Sequence, residues 1–199
     1  MRRRTSASRW RTAACATACA PRSKEGCDSM TERNPLVLTA DTLVAGRVCA
    51  DTIVLDQPLS FWGGYDSAAG RIVDRGHPQA GASLAGRILV MPHAKGSSSS
   101  SSVLAEAVRN GTGPAGIVMK ERDLIISIGA IVAAELYAIA VPVVCVTERD
   151  YRAIVAASGP VRIDASDGDG GARIYVGDAA RSGFAGPDAG SADAAVASR

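Results

Sequence analysis

A run of six serines, Ser97 to Ser102, places a dense cluster of hydroxyl groups directly after Lys95 and Gly96. Hydroxyl groups and the backbone N–H groups of a turn are hydrogen-bond donors, and a neighbouring ammonium group adds positive charge. Such a set suits an anionic ligand such as a carboxylate. We therefore take Gly96, Ser97, Ser98 and Lys95 as candidate binding residues, although a solvated surface group is an equally good interpretation of the lysine.

The residues on either side of the serines predict a strand before them and a helix after them. The apolar run Ile88–Met91 ends at a proline and is typical of a buried strand, and apolar side chains recur at helical spacing from about Ser100 to Asn110. The serines then occupy a strand-to-helix turn, where the positive end of the helix presents free N–H groups and serine side chains can cap. A serine tract is most often a flexible linker, but this position near the middle of the chain favours a site.

The order of the predicted elements indicates the fold class. Short β-branched segments from Leu36 to Leu55 predict a small barrel or sheet, and strand, turn, helix and strand then alternate over residues 87–146. That alternation predicts parallel pairing with right-handed crossovers. A helix over 123–137 carries small residues that permit close packing, and strands near 161–164 and 173–177 close the domain. We expect an α/β protein of the swivelling β/β/α type, with a barrel-like sheet and flanking helices.

Composition excludes several classes of protein. The chain has 199 residues, a net charge of +2 and no apolar run long enough to span a membrane, so neither nucleic acid nor a membrane is an expected partner. Five cysteines are an odd number without the spacing of a disulfide framework, a zinc site or a cluster site, so we expect no metal bound by this chain. These features are those of a cytoplasmic protein.

The two ends of the chain differ from its middle. Residues 1–30 are rich in arginine and contain few acids, which predicts disorder or an extension preceding a true start at Met30 in preference to a targeting segment. The last residues, 178–199, are rich in alanine, glycine and aspartate without periodicity, which predicts a disordered tail. The domain is therefore expected to cover residues 36–177.

A second candidate region is the loop between Pro58 and Pro78, which is punctuated by glycines and contains aromatic residues. Gly63 and Gly64 favour close approach of the backbone to a substrate or partner. Arg71 is a candidate ligand for a carboxylate. Phe61 and Trp62 are expected at an interface with another subunit, since exposed aromatic residues otherwise need a reason.

Other polar residues in and near this loop have simpler interpretations. Asp66 and Asp74 are expected to form Asx turns. His77 and His93 could act as general acids, but we expect hydrogen-bonded structural roles for both.

Several motifs together resemble, in the same order, the swivel-domain small subunit of the aconitase X family. They cover about residues 36–147 and lie at Ser60–Asp66, Gly70–Asp74, His77–Pro78, Leu84–Pro92, Gly96–Ser102, Gly111–Ile117 and Ile128–Leu136. The resemblance implies the swivelling domain of aconitase, which closes over a large subunit carrying an iron–sulfur cluster. It also implies a hydro-lyase, with Ser97 in the place of the family's proton-accepting serine.

The resemblance leaves the substrate open. Bacterial members dehydrate cis-3-hydroxy-L-proline to a pyrroline carboxylate, and archaeal members dehydrate mevalonate 5-phosphate; the long serine run resembles the bacterial type more. Such an elimination needs a base at Cα and a Lewis acid or proton donor at the leaving hydroxyl. Residues 36–147 contain no cysteine triplet with cluster-like placement, so we expect the Lewis acid to come from another chain. The alternative from a different class is a noncatalytic anion-binding or interaction module.

Overall fold

The computed structural model describes residues 36–157, 159–165 and 171–182. Seven strands form a closed barrel in the order β1-β7-β6-β5-β2-β8-β9. Their bounds are Leu36–Val44 (β1), Gly46–Val54 (β2), Ile88–Met91 (β5), Gly116–Met119 (β6), Val143–Cys145 (β7), Pro160–Ala165 (β8) and Ala172–Val176 (β9). A small hairpin pairs β3 (Tyr65–Asp66) with β4 (Arg71–Ile72). The helices are α1 (Phe61–Gly64), α2 (Ser100–Arg109), α3 (Leu124–Tyr137), α4 (Glu148–Ala156) and α5 (Asp178–Arg181).

The predicted parallel segment is confirmed. Strand β5 pairs in parallel with both β2 and β6, and β6 pairs in parallel with β7. Every residue of β5, β6 and β7 is buried, because successive side chains enter two different cores. Leu89 and Met91 pack in the core that contains residues of α2 and α3, whereas Ile88 and Val90 pack with β8 and β9. The carboxyl ends of β5, β6 and β7 therefore meet at one edge, and the serine run follows the first of them.

Helix α3 holds α2 close to the barrel through small residues. A Cβ atom added at Gly129 would lie 2.8 Å from the carbonyl oxygen of Ser101, so only glycine fits at this crossing. The predicted small-residue face is thus confirmed at Gly129, Ala130 and Ala133, which are buried. Other positions of α3 are also apolar and are exposed at Leu124, Ile128, Ile131 and Leu136, and Ile139, just after the end of the helix, is exposed as well. In the part of the chain that is described, no helix is long and apolar enough to cross a membrane.

The domain continues slightly beyond its predicted end at residue 177. The tail was expected to begin at Asp178, but the short helix α5 follows, and Ala180 within it is fully buried. The thiol of Cys49 donates to the carbonyl oxygen of Ala180 at 3.4 Å. Helix α5 packs against β8 and β9, and a helix of four residues is too short to give a visible periodicity in the sequence. The predictions for residues 1–30 and 183–199 fall outside the described residues.

Tyr65 gives the fold a measurable alkaline sensitivity. Burial raises the pKa of Tyr65 from 10.0 to about 12, and its hydroxyl donates to the carbonyl oxygen of Thr112. At pH values between 10.0 and about 12, Tyr65 loses its phenolic proton in the unfolded chain and keeps it in the folded chain. The free energy of unfolding should therefore fall as pH rises above 10, by at most about 1.4 kcal/mol per pH unit.

The measurement is urea unfolding at about pH 9 and about pH 11 for the wild type and Tyr65→Phe. The variant lacks the hydrogen bond, so its free energy of unfolding should be lower than that of the wild type at both pH values. The decrease in this free energy from about pH 9 to about pH 11 should, however, be smaller in the variant than in the wild type. Because Tyr151 also has a raised pKa through burial, the difference between the two proteins isolates Tyr65. An equal loss in both would contradict the assignment.

Candidate functional site

The serine turn forms the predicted start of α2, but with a different capping pattern. The helix begins at Ser100, and the side chain of its N-cap residue, Ser99, makes no capping hydrogen bond. Instead the Oγ of Ser97 accepts a hydrogen bond from the backbone N–H of Ser99 at 3.2 Å. The carbonyl oxygen of Ser97 accepts from the N–H of Ser100 at 2.9 Å. The first serine, two residues ahead of the N-cap, therefore has its side-chain oxygen drawn to the positive end of the helix.

The side-chain oxygen of Ser97 is exposed and lies at the positive end of α2. Ser97 and Ser98 are exposed, as is Gly96 before them, so the hydroxyl is open to a ligand. The N–H of Ser99 points at the same Oγ atom, and a negative charge there would be stabilised by this donor and by the helix dipole. The arrangement can hold an anion, and it can lower the cost of forming an alkoxide.

Gly96 allows the serine turn (residues 97–102) to lie against the aromatic loop (residues 58–78). Its φ angle is +103°, which side chains rarely adopt, and an added Cβ atom would lie 2.3 Å from the Oγ of Ser60. The residue at this place must therefore be glycine for two separate reasons. Ser60 was noted only as part of a motif, and the structure puts it in contact with the candidate site.

Two serine hydroxyls fix the backbone of Trp62 beside the turn. The Oγ of Ser100, which is buried, accepts from the N–H of Trp62 at 3.2 Å, and the Oγ of Ser60 donates to the carbonyl oxygen of Trp62 at 2.8 Å. Gly63 follows with a φ angle of +76°. This locked turn leaves the indole 59% exposed. A large aromatic side chain is thus held in solvent next to the serines.

The predicted interface role of Phe61 is wrong. Its side chain is fully buried and packs edge to face on Tyr65, with ring centroids 5.4 Å apart. The sequence placed both aromatic residues in one exposed loop, but the turn at Trp62 sends the neighbouring side chains in opposite directions. A Cβ atom added at Gly64 would make only ordinary contacts with Leu59 and Asp74, and the carbonyl oxygen of Gly64 accepts hydrogen bonds from the N–H groups of Val73 and Asp74.

Lys95 and Asp74 form an ion pair at the edge of the turn. The Nζ of Lys95 lies 3.7 Å from the Oδ2 of Asp74. About half of the Lys95 side chain and about a third of the Asp74 side chain are exposed. The backbone N–H of Lys95 donates to the carbonyl oxygen of Leu59 at 3.2 Å. The structure thus brings Lys95, Gly96, Ser97 and the Gly63–Gly64 turn into one neighbourhood.

Arg71 is held elsewhere. Its Nη1 donates to the carbonyl oxygen of Gly81 at 3.2 Å, and none of its contacts in the described chain joins it to the serine turn.

The two predicted Asx turns are confirmed. The carboxylate of Asp66 accepts from the N–H groups of Ala68 and Ala69, and these hydrogen bonds hold the pKa of its carboxyl below the usual range. Asp74 accepts likewise from the N–H of Gly76 at 2.9 Å.

Both histidines have local partners. His77 is buried, its Nδ1 accepts from the N–H of Gln79 at 3.1 Å, and its Nε2 lies 3.2 Å from the carbonyl oxygen of Gln57. This pattern fixes the tautomer with the proton on Nε2 and confirms a structural role. His93 lies 3.7 Å from the Oε1 of Glu121 and is partly exposed.

The carboxyl edge of the sheet also has a cleft of about 490 Å³, but it contains no residue of the serine turn. Its lining includes Asp41, Lys120, Cys145 and Thr147. Several of its polar groups are already paired: Lys120 contacts Glu148 at 2.9 Å, the thiol of Cys145 donates to the carbonyl oxygen of Lys120 at 3.1 Å, and Asp41 accepts from Arg122 at 2.9 Å. Burial raises the pKa of Cys145, which keeps it a thiol. Among the residues that the structure places, no cluster of side chains is arranged to hold a metal ion.

Sequence reasoning missed two residues of this neighbourhood. Ser60 precedes the aromatic pair and signals only through its place in the motif, and Ser100 is one serine in six. Nothing in the run distinguishes a buried hydroxyl that binds Trp62 from an exposed one, because burial depends on where α1 packs. Asp74 was interpreted as a turn residue, and its second contact, with Lys95, has no local signal.

Known proteins are similar to this chain in sequence and fold. Residues 37–170 match the family described as the aconitase X swivel domain. The chain is 44% identical over 108 residues to the cis-3-hydroxy-L-proline dehydratase of Pseudomonas aeruginosa, covering 54% of this chain and 19% of that protein. It is 35% identical to the phosphomevalonate dehydratase small subunit of Methanothermobacter thermautotrophicus, covering 62% of this chain and 89% of the relative. It spans about a fifth of the length of the Pseudomonas dehydratase.

A solved structure agrees with the closed barrel. The chain superposes on a chain of the crystal structure of Thermococcus kodakaraensis aconitase X (holo-form) with a TM-score of 0.60 and 31% identity, covering 72% of this chain and 99% of that one. With the family match over residues 37–170, these similarities show that the chain belongs to the aconitase X swivel-domain family.

Proposed function

We propose that this chain is the small subunit of an aconitase X hydro-lyase that dehydrates cis-3-hydroxy-L-proline to Δ1-pyrroline-2-carboxylate, with Ser97 as proton acceptor. The observation that carries the proposal is the hydrogen bond from the N–H of Ser99 to the Oγ of Ser97 at the start of α2. A cytoplasmic location is part of the same proposal.

The reaction assigns a role to each group near the turn. Ser97, as its alkoxide, takes the Cα proton; the C–H electron pair forms the Cα–Cβ double bond, the C–O bond breaks, and the 3-hydroxyl leaves with a proton as water. The resulting enamine gains a proton at Cβ and loses its N–H proton to give the pyrroline. Stabilisation of the alkoxide by the N–H of Ser99 and the helix dipole makes the first step possible near neutral pH. The N–H groups of Gly96 and Ser98 and the ammonium of Lys95 are proposed to bind the substrate carboxylate.

Gly63, Gly64 and Arg71 were also predicted to bind substrate. Gly63 and Gly64 shape the turn that faces Gly96, so we keep them as residues that form the wall of the pocket. Arg71 is bonded to its own loop, and we give it the weaker role of a contact made on closure.

The other half of the chemistry is proposed to come from a large subunit. Its iron–sulfur cluster would supply the Lewis acid for the leaving hydroxyl. The two cysteines of the described chain, Cys49 and Cys145, both donate to backbone carbonyls, so they fit no cluster role. A relative that is matched over 89% of its length is named a small subunit, and the match to the Pseudomonas dehydratase is only 19% of that protein, which supports a larger partner.

Trp62 is proposed as an anchor of that subunit interface. An indole held rigidly in solvent at the site has the properties of an interface hot spot. Trp62→Ala should cost about 2 kcal/mol of binding or more, which weakens the complex about 30-fold. Titration calorimetry with the large subunit measures the change.

The matched control for this prediction is Val155→Ala, an exposed apolar residue on α4. It should bind the large subunit as the wild type does. Equal affinity of Trp62→Ala and the wild type would remove Trp62 from the interface.

The decisive experiment on function is coexpression with the large subunit followed by assays of both candidate substrates. Turnover of cis-3-hydroxy-L-proline without turnover of mevalonate 5-phosphate is expected. The reverse result would make the chain a phosphomevalonate dehydratase small subunit, which the 35% identity to such a protein keeps as the second candidate. Assembly without turnover of either would favour a noncatalytic anion-binding or interaction module.

A further inference from the structure

We propose that Asp74 is a positioning residue that holds the Lys95 ammonium beside the serine turn, where it meets the carboxylate of the substrate. The inference rests on the proposed function of the site. The inference gives Asp74 a second role, in addition to forming its Asx turn.

Asp74 is fixed so that its two carboxylate oxygens do different things. Its Oδ1 accepts the N–H of Gly76 at 2.9 Å, and its own N–H donates to the carbonyl oxygen of Gly64 at 3.3 Å. The second oxygen, Oδ2, is the atom that faces the Nζ of Lys95 at 3.7 Å. The turn therefore sets the direction of the carboxylate, and the carboxylate sets the position of the ammonium.

Lys95 can be restrained by Asp74 and still bind a substrate carboxylate. Its backbone is tied to Leu59, one residue before Ser60, which touches Gly96. At 3.7 Å the ion pair lacks the close contact that would use the ammonium fully, so its donors remain available to a second anion. A lysine side chain loses much rotamer freedom when it binds, and a partner that restrains it beforehand reduces that loss.

The negative charge of Asp74 also acts in the opposite direction, because it repels an incoming carboxylate. Both side chains are partly exposed, with 34% of Asp74 and 48% of Lys95 accessible, so water and salt weaken this repulsion over the longer distance. The restraint acts directly on the ammonium and is expected to prevail. The two effects change KM in opposite directions, which makes them separable.

The test uses the assembled enzyme and the variant Asp74→Asn. An amide oxygen can still accept from the N–H of Gly76, so the turn is kept and the charge is removed. KM should rise about two- to fivefold, in the range of an exposed ion pair, with kcat within about twofold. The matched control is Asp66→Asn, because Asp66 makes the same kind of turn in the same loop without a lysine partner; it should leave both constants unchanged.

A cycle with Lys95→Gln completes the test. Lys95→Gln should raise KM, and adding Asp74→Asn to it should have no further effect, whereas Lys95→Arg should keep KM near the wild-type value. A fall in KM for Asp74→Asn, or the same rise with and without Lys95, overturns the inference. Should Asp74→Asn fail to fold, Lys95→Gln decides alone, and an unchanged KM overturns it. Ser97→Ala tests the proposed function separately. If this variant loses turnover, the proposed function stands even where the results for Asp74 and Lys95 overturn the inference.

Discussion

Ser97→Ala should reduce kcat of the assembled enzyme by about two to four orders of magnitude, the range lost when a general base is removed. The methyl group leaves the N–H of Ser99 without its acceptor and removes the oxygen that takes the proton. The loss of this hydrogen bond should also lower the free energy of unfolding by about 1 kcal/mol. Steady-state kinetics and a thermal melt measure the two effects separately.

Its matched control is Ser102→Ala. Ser102 belongs to the same run but lies exposed within α2, and it has no place in the proposed chemistry. It should keep kcat and KM, since alanine is at least as good a helix former. Both variants should bind the large subunit normally. Retained turnover in Ser97→Ala would remove this hydroxyl from the mechanism, whereas lost assembly would show that the turn has a structural role instead.

Gly96→Ala should damage the site through the backbone. The φ angle of +103° strains any side chain by about 1 to 2 kcal/mol, and the new Cβ atom would meet the Oγ of Ser60 at 2.3 Å. Either the serine turn or the Ser60–Trp62 turn must then move, so activity should fall at least tenfold, because misplacing a catalytic group by about 1 Å can cost about a hundredfold. Kinetics and the melting temperature measure the outcome.

Gly81→Ala separates the two causes. Gly81 has a φ angle of +84° but nothing within 4 Å of an added Cβ atom, so it carries the conformational strain without the collision. It should lose stability and keep activity. In Gly96→Ala the further change Ser60→Gly removes the colliding side chain and should restore part of the activity. No restoration would mean that strain alone accounts for the defect.

The helices and parallel strands were predictable because they depend on local patterns. Apolar continuity located β5 and β6, helical spacing located α2, and the small residues Gly129, Ala130 and Ala133 predicted that α3 packs closely, although not that its partner is α2. The serine turn could be placed for the same reason, since it lies between a strand and a helix that each have a clear signature. Its capping pattern could not, because six identical residues give no signal for which hydroxyl accepts which N–H.

The contacts around the turn were not predictable, because each joins residues that are distant in sequence. Ser100 and Trp62 are 38 residues apart, and the contacts of Ser60 with Gly96 and of Asp74 with Lys95 also depend on how the aromatic loop folds over β5. The error at Phe61 has the same origin. Two adjacent aromatic residues look alike in sequence, and only the backbone angles of the turn decide that one enters the core and the other faces solvent.

The sequence alone determined the family resemblance, the order of the main barrel strands and of helices α2 and α3, and the candidate proton acceptor, since motifs and periodicity are properties of neighbouring residues. The tertiary structure decided which groups surround that acceptor: the N–H of Ser99 on its oxygen, Ser60 against Gly96, and Lys95 beside Asp74. The physical reason is that hydrogen bonds and steric contacts act over a few ångströms in space, and only closure of the barrel brings these loops within that range.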